Sequence, residues 1–267
     1  MAGKMATIFL LNWVYLCFSC IFLIGSLVCG SAHTSNIFIV GRAIAGAGAA
    51  GVSCSGLTIL LTIASDEKKP LFVGLFGGCF GVGLILGPIL GGAFTEKLTW
   101  RWCFWVNLPF GAIAFALVFF FFKPLLSRRV ESVIMRIRRL DLIGCIIFVP
   151  AIFMLLFALE RGQDVWNTPT IIGLFVGSGV MLILFVAWEG QKGNAAMIPR
   201  SVVARRTVVF AVLFAFCHTG SLMVTSYYLP EWFQVVQGIG PLKSGIRMLP
   251  TVISQIIAGL AASAVGK

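Results

Sequence analysis

The sequence predicts an all-α integral membrane protein, a bundle of many membrane-spanning helices. Three observations carry that expectation. Of 267 residues, 59% are hydrophobic and 11% charged, with a mean hydropathy of +1.02, whereas about a quarter of a soluble domain is charged. The apolar residues gather into eight runs near the ~20-residue length a helix needs to cross a bilayer core. The charges gather in the short connectors. No soluble core could hide this much apolar surface, so a water-soluble enzyme is excluded.

The runs fall at approximately 8–31, 36–64, 70–94, 103–122, 141–159, 169–188, 207–229 and 248–265. The first follows Lys4 and precedes the small residues Gly30 and Ala32, as a secretory leader would. Its apolar stretch, however, is well beyond the ~7–15 residues of a leader's core, so it is a span. The next two runs carry most of the small residues, and the fourth opens on an aromatic-rich segment from Trp100. The seventh and eighth are joined by a connector containing Gly238, Gly240 and Pro241.

Lys+Arg 20 against Asp+Glu 9 would suggest a nucleic-acid surface in a soluble protein. Here the basic residues occupy connectors, where they set topology, and no nucleic-acid partner is expected. Thirteen of them (Lys4, Lys68, Lys69, the group from Lys123 to Arg139, and Lys192 to Arg206) lie on one side of an alternating chain and five on the other. The richer side is cytoplasmic by the positive-inside rule, which puts both termini there. In the largest connector, Val130, Val133, Ile134, Ile137 and Leu140 recur at helical spacing among Arg128, Arg129, Arg136, Arg138 and Arg139. It reads either as a basic amphipathic helix on the bilayer face or as a solvated linker.

Several motifs invite misreading. Gly46-Ala-Gly48-Ala-Ala-Gly51 matches the dinucleotide fingerprint letter for letter. The fingerprint needs a strand before it and a helix N-terminus at the glycines, and here they sit inside an apolar helix. Gly46, Gly48 and Gly51 are read instead as small residues that admit a neighbouring helix. Cys17-x-x-Cys20 has redox spacing but no βαβ context, and the eight cysteines are read as ordinary small membrane residues. No phosphate-cradling loop, metal-ligand cluster or catalytic triad stands out, so no cofactor and no metal are expected. His218, in the middle of a span, serves either a hydrogen-bonded helix contact or a proton relay.

Two spans carry stronger signals. Arg42 lies roughly 6 residues, or ~9 Å, inside the outer end of its span. It either snorkels to the headgroups or faces the bundle interior, where a cation marks a substrate or proton path. No acid is mid-span to pair with it. The third run contains Gly74, Gly77, Gly78, Gly81, Gly83, Gly87, Gly91 and Gly92. Gly83, Gly87 and Gly91 are spaced one turn apart, and Pro88 removes an amide, so a bent helix with a close-packing face is expected, at a surface where two bundles meet.

Gly83-Leu-Ile-Leu-Gly87-Pro88-Ile-Leu-Gly91-Gly92 resembles the antiporter signature G-x-x-x-G-P-x-x-G-G that the major facilitator superfamily carries on its fifth span. Phe38-Ile-Val-Gly-Arg42-Ala-Ile-Ala-Gly46 resembles that superfamily's fourth-span motif, with Ala45 where the family often has Gln. Trp100-Arg-Trp-Cys-Phe-Trp-Val-Asn107-Leu-Pro109-Phe-Gly111 is similar to the start of its sixth span. Tyr227-Tyr-Leu-Pro-Glu-Trp-Phe-Gln234 is similar to its C-terminal bundle. The subgroup most resembled is the fourteen-span drug:proton antiporters, above all fungal toxin and multidrug efflux pumps.

By this resemblance the eight runs correspond to the family's third to tenth spans, an incomplete bundle of the major facilitator type, with Asn12 where relatives commonly have Lys. Residues 1–122 would form part of the N-terminal bundle, 123–140 the basic connector, 141–188 two extra linker spans, and 189–267 the start of the C-terminal bundle. The implied activity is export of small hydrophobic compounds by proton antiport with alternating access. Arg42 would act in proton coupling, and Gly83, Gly87, Pro88, Gly91 and Gly92 would seal the resting state. The implied partners are substrate, protons, the bilayer (plasma membrane) and the remaining spans of a longer chain. Two other readings stay open: a truncated chain that does not transport, and an importer of the same superfamily for siderophore-like compounds.

Overall fold

The computed structural model describes residues 10–122, 141–162, 168–192 and 205–265, together with Met5 and Trp166. The basic connector at 123–140 lies outside the described residues. Those described form ten α-helices and one 3₁₀ turn, with no strand among them. Each of the eight apolar runs holds a helix among its described residues. Six helical segments are long and apolar enough to cross a membrane: α1 (Leu11–Gly30), α2 (Ser35–Ile63), the joined pair α4 (Trp102–Trp105) and α5 (Asn107–Phe121), α6 (Leu142–Gly162), α7 (Pro169–Lys192) and α8 (Arg206–Val235). The run at 70–94 is the 29-residue α3 (Lys69–Lys97), and that at 248–265 is the 17-residue α10 (Leu249–Val265), preceded by the short α9 (Pro241–Arg247).

The chain divides into two compact units. One comprises Ala2–Arg128 and Thr219–Lys267. Within it, α1 and α2 make the tightest pair. Thr34, in extended conformation, caps α2 by accepting the Ile37 N–H at 3.4 Å. Gly41, Ala45, Gly48 and Ser55 are buried along one stripe of α2, and Gly25, Ser26 and Cys29 answer them on α1. A Cβ built at Gly25 would lie 2.6 Å from Ala45 Cα, and one at Gly48 would lie 2.6 Å from Phe22 Cα. Lipid tails are as apolar as leucine, so helix association in a bilayer depends on this kind of close approach.

On α2 the Phe22 backbone lies against Gly48 and the Phe18 ring against Gly51, whereas Gly46 is set apart. No described heavy atom lies within 4 Å of a Cβ at Gly46. The reason is angular: Gly41, Ala45 and Gly48 recur at four- and three-residue steps on one face, and Gly46, one residue past Ala45, is turned about 100° away.

The connection between α1 and α2 is braced by α4 and α5, which pack on α1. The Trp105 ring covers Gly30, Leu23 meets Gly111, and Arg101 Nη2 donates to Ala32 O at 3.0 Å. α3 begins with Pro70 in its first turn, where a missing amide costs nothing. It packs on α2, α9 and α10. α8 ends at a turn in which Gly238 has φ +62°, and Ser244 Oγ donates to the Pro230 carbonyl at 3.0 Å.

The other unit spans Arg129–His218. Its core is the α6–α7 hairpin, held by buried Ala151, Ala158, Ile171 and Phe185. Ser178 Oγ donates across the hairpin to Ala151 O at 2.9 Å. The Phe148 and Phe185 rings meet at 4.9 Å.

Candidate functional site

Arg42 sits two turns into α2, and its side chain is exposed. Its guanidinium lies 5.7 Å from the centre of the Phe104 ring, within cation–π range. Phe104 belongs to an edge-to-face cluster with Phe38 and Trp100, at centroid distances of 5.4 to 6.1 Å. Arg101 in turn lies 4.8 Å from the Trp100 ring centre. Among the described residues no carboxylate pairs with Arg42; the one salt bridge there joins Asp66 to Lys69. That hydrogen bond and charge hold the exposed Asp66 carboxyl below the ordinary aspartate value.

The aromatic cluster borders a cleft of about 430 Å³, lined by Ala32, His33, Thr34, Ser35, Phe38, Ile39, Trp100 and Arg101. The cleft combines ring faces with hydroxyl, imidazole and guanidinium groups, so it suits amphipathic organic molecules. Sequence reasoning singled out Arg42 and the Trp100 segment separately and missed that Phe104 brings them together. The signal available was the Trp-x-x-x-Phe spacing, with Phe104 on α4 and Trp100 in the turn just before it.

The glycine-rich helix is a second element. α3 continues as helix through Pro88, from Lys69 to Lys97. Built Cβ atoms at Gly77, Gly78, Gly83, Gly87 and Gly91 meet no described heavy atom within 4 Å, whereas Gly92 is buried. The spaced glycines thus form a bare stripe open to approach. Thr95, one turn on, donates from Oγ1 to Gly91 O at 2.8 Å.

His218 is exposed on α8, its ring stacked on Phe214 at 5.7 Å and 4°. Asn12 is buried at the start of α1, and its Oδ1 lacks a hydrogen-bond partner. No group of three or more His, Cys, Asp or Glu that could hold a metal occurs among the described residues.

A chain of long apolar helices in which a cation interrupts one span and a glycine stripe marks the next has the architecture of a polytopic membrane protein. The sequence profile of the Major Facilitator Superfamily matches residues 1–267, and the chain belongs to that superfamily. It is 43% identical over 265 residues to the MFS-type transporter poxA of Penicillium oxalicum, covering 96% of this chain and 47% of that protein. It is 41% identical over 281 residues to the efflux pump mlcE of Penicillium citrinum, covering 100% of this chain and 51% of that protein. Against the aspyridones efflux protein of Neocamarosporium betae it is 40% identical over 261 residues, covering 96% and 46%. The chain spans about half the length of the curated relatives it matches.

Proposed function

We propose that these residues belong to an exporter of small hydrophobic compounds, secondary metabolites or drugs, driven by inward proton flow. The observation that carries the reading is the superfamily match along all 267 residues, with relatives named as efflux pumps. Two features of the site support it. Arg42 on α2 stands beside an aromatic cleft, and α3 offers an open stripe at Gly83, Gly87 and Gly91. In an alternating-access cycle two helical bundles rock against each other around a midplane cavity. A bare glycine stripe lets a facing helix come close in one state and part in another. Arg42 is the coupling residue in this proposal: its charge favours deprotonation of a carboxyl that the remaining spans of the longer chain would bring to it, and proton arrival there changes the balance of the two states.

The proposal extends to topology. Both ends of the chain face the cytoplasm of a plasma-membrane protein, on the strength of the thirteen-to-five distribution of basic residues. Residues 1–122 belong to the N-terminal bundle, 123–140 connect, 141–188 insert two linker spans, and 189–267 open the C-terminal bundle.

The test is transport. The whole reading frame carrying these residues is expressed in a drug-sensitive yeast, and efflux of a fluorescent hydrophobic compound is followed with and without a proton gradient. Gradient-dependent efflux that Arg42→Ala abolishes at normal surface abundance is the expected result. Efflux unaffected by collapsing the gradient overturns proton antiport. Accumulation instead of loss favours the importer, and no movement in either direction favours a chain that does not transport.

A further inference from the structure

The cleft at the α1–α2 connection has a charge character that the transport reading leaves unused. Its one fixed charge is Arg101, and no carboxylate is among its lining residues. The guanidinium is held in place twice: Nη2 donates to Ala32 O at 3.0 Å, and the group lies 4.8 Å from the Trp100 ring centre. A guanidinium carries five N–H donors, and among the described residues Ala32 O is the acceptor that engages them. The same aromatic cluster, through Phe104, carries Arg42 at 5.7 Å. Two guanidinium groups thus share one cluster of rings, and no described carboxylate forms a salt bridge with either.

The rest of the polar lining is rich in donors. Thr34 Oγ1 accepts the Ile37 N–H, which leaves its O–H for another partner. Ser35 and His33 add a hydroxyl and an imidazole. Ser35 also opens α2, where first-turn amides have no intrahelical acceptor and the helix dipole is positive. Beside these groups stand the Phe38 ring, Ile39 and Trp100. Trp100 begins a segment with Trp102 and Trp105, the residue type that collects where membrane meets water. A cleft at that level offers a fixed cation to an anionic head and a ring surface to an apolar tail. Its volume of about 430 Å³ is near the lower end for small-molecule sites, so it suits a short tail better than a two-tailed lipid.

We propose that this cleft binds small amphiphiles with an anionic head, a carboxylate or a phosphate, and that Arg101 selects the head. The guanidinium fork matches two oxygens of either group, and such charge-assisted bonds are about twice as strong as neutral ones. Because Ala32 O and the Trp100 ring already fix its orientation, little side-chain freedom remains to be lost on binding. A neutral amphiphile of the same shape finds the rings but leaves the guanidinium unpaired. A cationic one meets Arg101 with like charge. The cleft therefore discriminates by head, whereas the rings accept many tails. Binding is read without transport, so neither the direction nor the existence of export decides it.

The experiment is calorimetric titration of the full chain carrying these residues, held in nanodiscs of neutral phosphatidylcholine, with octanoate and with octanol. The two probes share a tail and differ in the head. Octanoate should bind about tenfold or more tightly than octanol. Arg101→Gln should erase most of that difference and leave octanol unchanged, while Arg101→Lys keeps part of it, because the charge stays and the fork is lost. Arg101 also holds Ala32 O, so a second variant leaves that bond intact. Ser35→Asp puts a carboxylate into the cleft in the first turn of α2, where an acid is favourable. Its melting temperature should hold while octanoate binding is lost. Equal affinity for the two probes, or full octanoate binding by Ser35→Asp, would overturn the proposal. So would failure of both probes to bind, which would mean that other parts of the full chain close the cleft. Native mass spectrometry separates the sources of an anionic head. Octanoate adducts without a retained phospholipid are expected; a phospholipid held by wild type and released by Ser35→Asp would replace the small ligand with a lipid headgroup.

Discussion

A methyl group added at Gly48 should separate α1 from α2, and the structure sets the size of the effect. The added Cβ would fall 2.6 Å from Phe22 Cα and 2.8 Å from Phe22 Cβ. Carbon atoms at optimal contact are ~3.5–4.0 Å apart, so the helices must part by about 1 Å or the Phe22 backbone must shift. Overpacking of this kind costs ~1–3 kcal/mol. Alanine also forms helix better than glycine, by up to ~1 kcal/mol, and this gain must be removed before the clash can be read. Gly46→Ala supplies the control, because it makes the same change in the same helix where no described atom lies within 4 Å. The measured quantity is the difference between the two variants in a denaturing-detergent titration followed by helix signal. Gly48→Ala should be the less stable by ~1–3 kcal/mol, which is about fivefold or more in the unfolding equilibrium. Equal stability, or a more stable Gly48→Ala, would refute the close α1–α2 contact.

Gly87→Leu should leave detergent stability unchanged, since no described atom lies within 4 Å of a Cβ there, yet block transport by filling the stripe; undiminished efflux would reject the stripe's role. Arg42→Ala should lower efflux ~tenfold or more, equivalent to ~1.4 kcal/mol or more at the limiting barrier, at wild-type surface abundance, with Arg42→Lys partly active because the cation persists over Phe104; efflux and surface blotting together check both. Ser178→Ala should destabilise the hairpin by ~0.6–1 kcal/mol through loss of the bond to Ala151 O, read in the same detergent titration.

The spans were legible in the sequence because their signal is length. About twenty apolar residues must be helical to satisfy their backbone in lipid, whatever surrounds them. Contacts between spans were legible only in part. The small residues of α2 announced a packing helix, but the stripe it uses runs through Gly41, Ala45 and Gly48, and its counterparts Gly25, Ser26 and Cys29 lie in a run whose own spacing gives no such sign. Which face of a helix meets a neighbour depends on angular position to within one residue, and composition does not fix that. The Asp141–Trp188 contact was illegible for a different reason. Asp141 was recognisable as an acid at a span boundary, but the indole that donates to it is 47 positions away and becomes a neighbour only when the hairpin closes.

Taken together, the glycines separate by surroundings into two kinds. Gly25, Gly41 and Gly48 are covered by helix atoms so closely that a single carbon would collide. Gly83, Gly87 and Gly91 are spaced just as regularly and meet no described atom. The first set has its function in the fold already, because a contact that tight cannot open without losing the van der Waals energy that holds α1 to α2. The second set gains from glycine only when something else comes near, so its residues are unexplained by stability. Arg42 follows the same logic. A cation on an exposed face, braced by an aromatic ring and with no carboxylate beside it among the described residues, costs more to keep in a span than a leucine would. Substitution should therefore divide cleanly: changes at Gly25, Gly41 and Gly48 should act through stability and surface abundance, and changes at Arg42 and Gly87 through transport at unchanged abundance. Loss of abundance from Gly87→Leu equal to that from Gly48→Leu would place the open stripe among the structural contacts and remove the main physical argument for a moving interface.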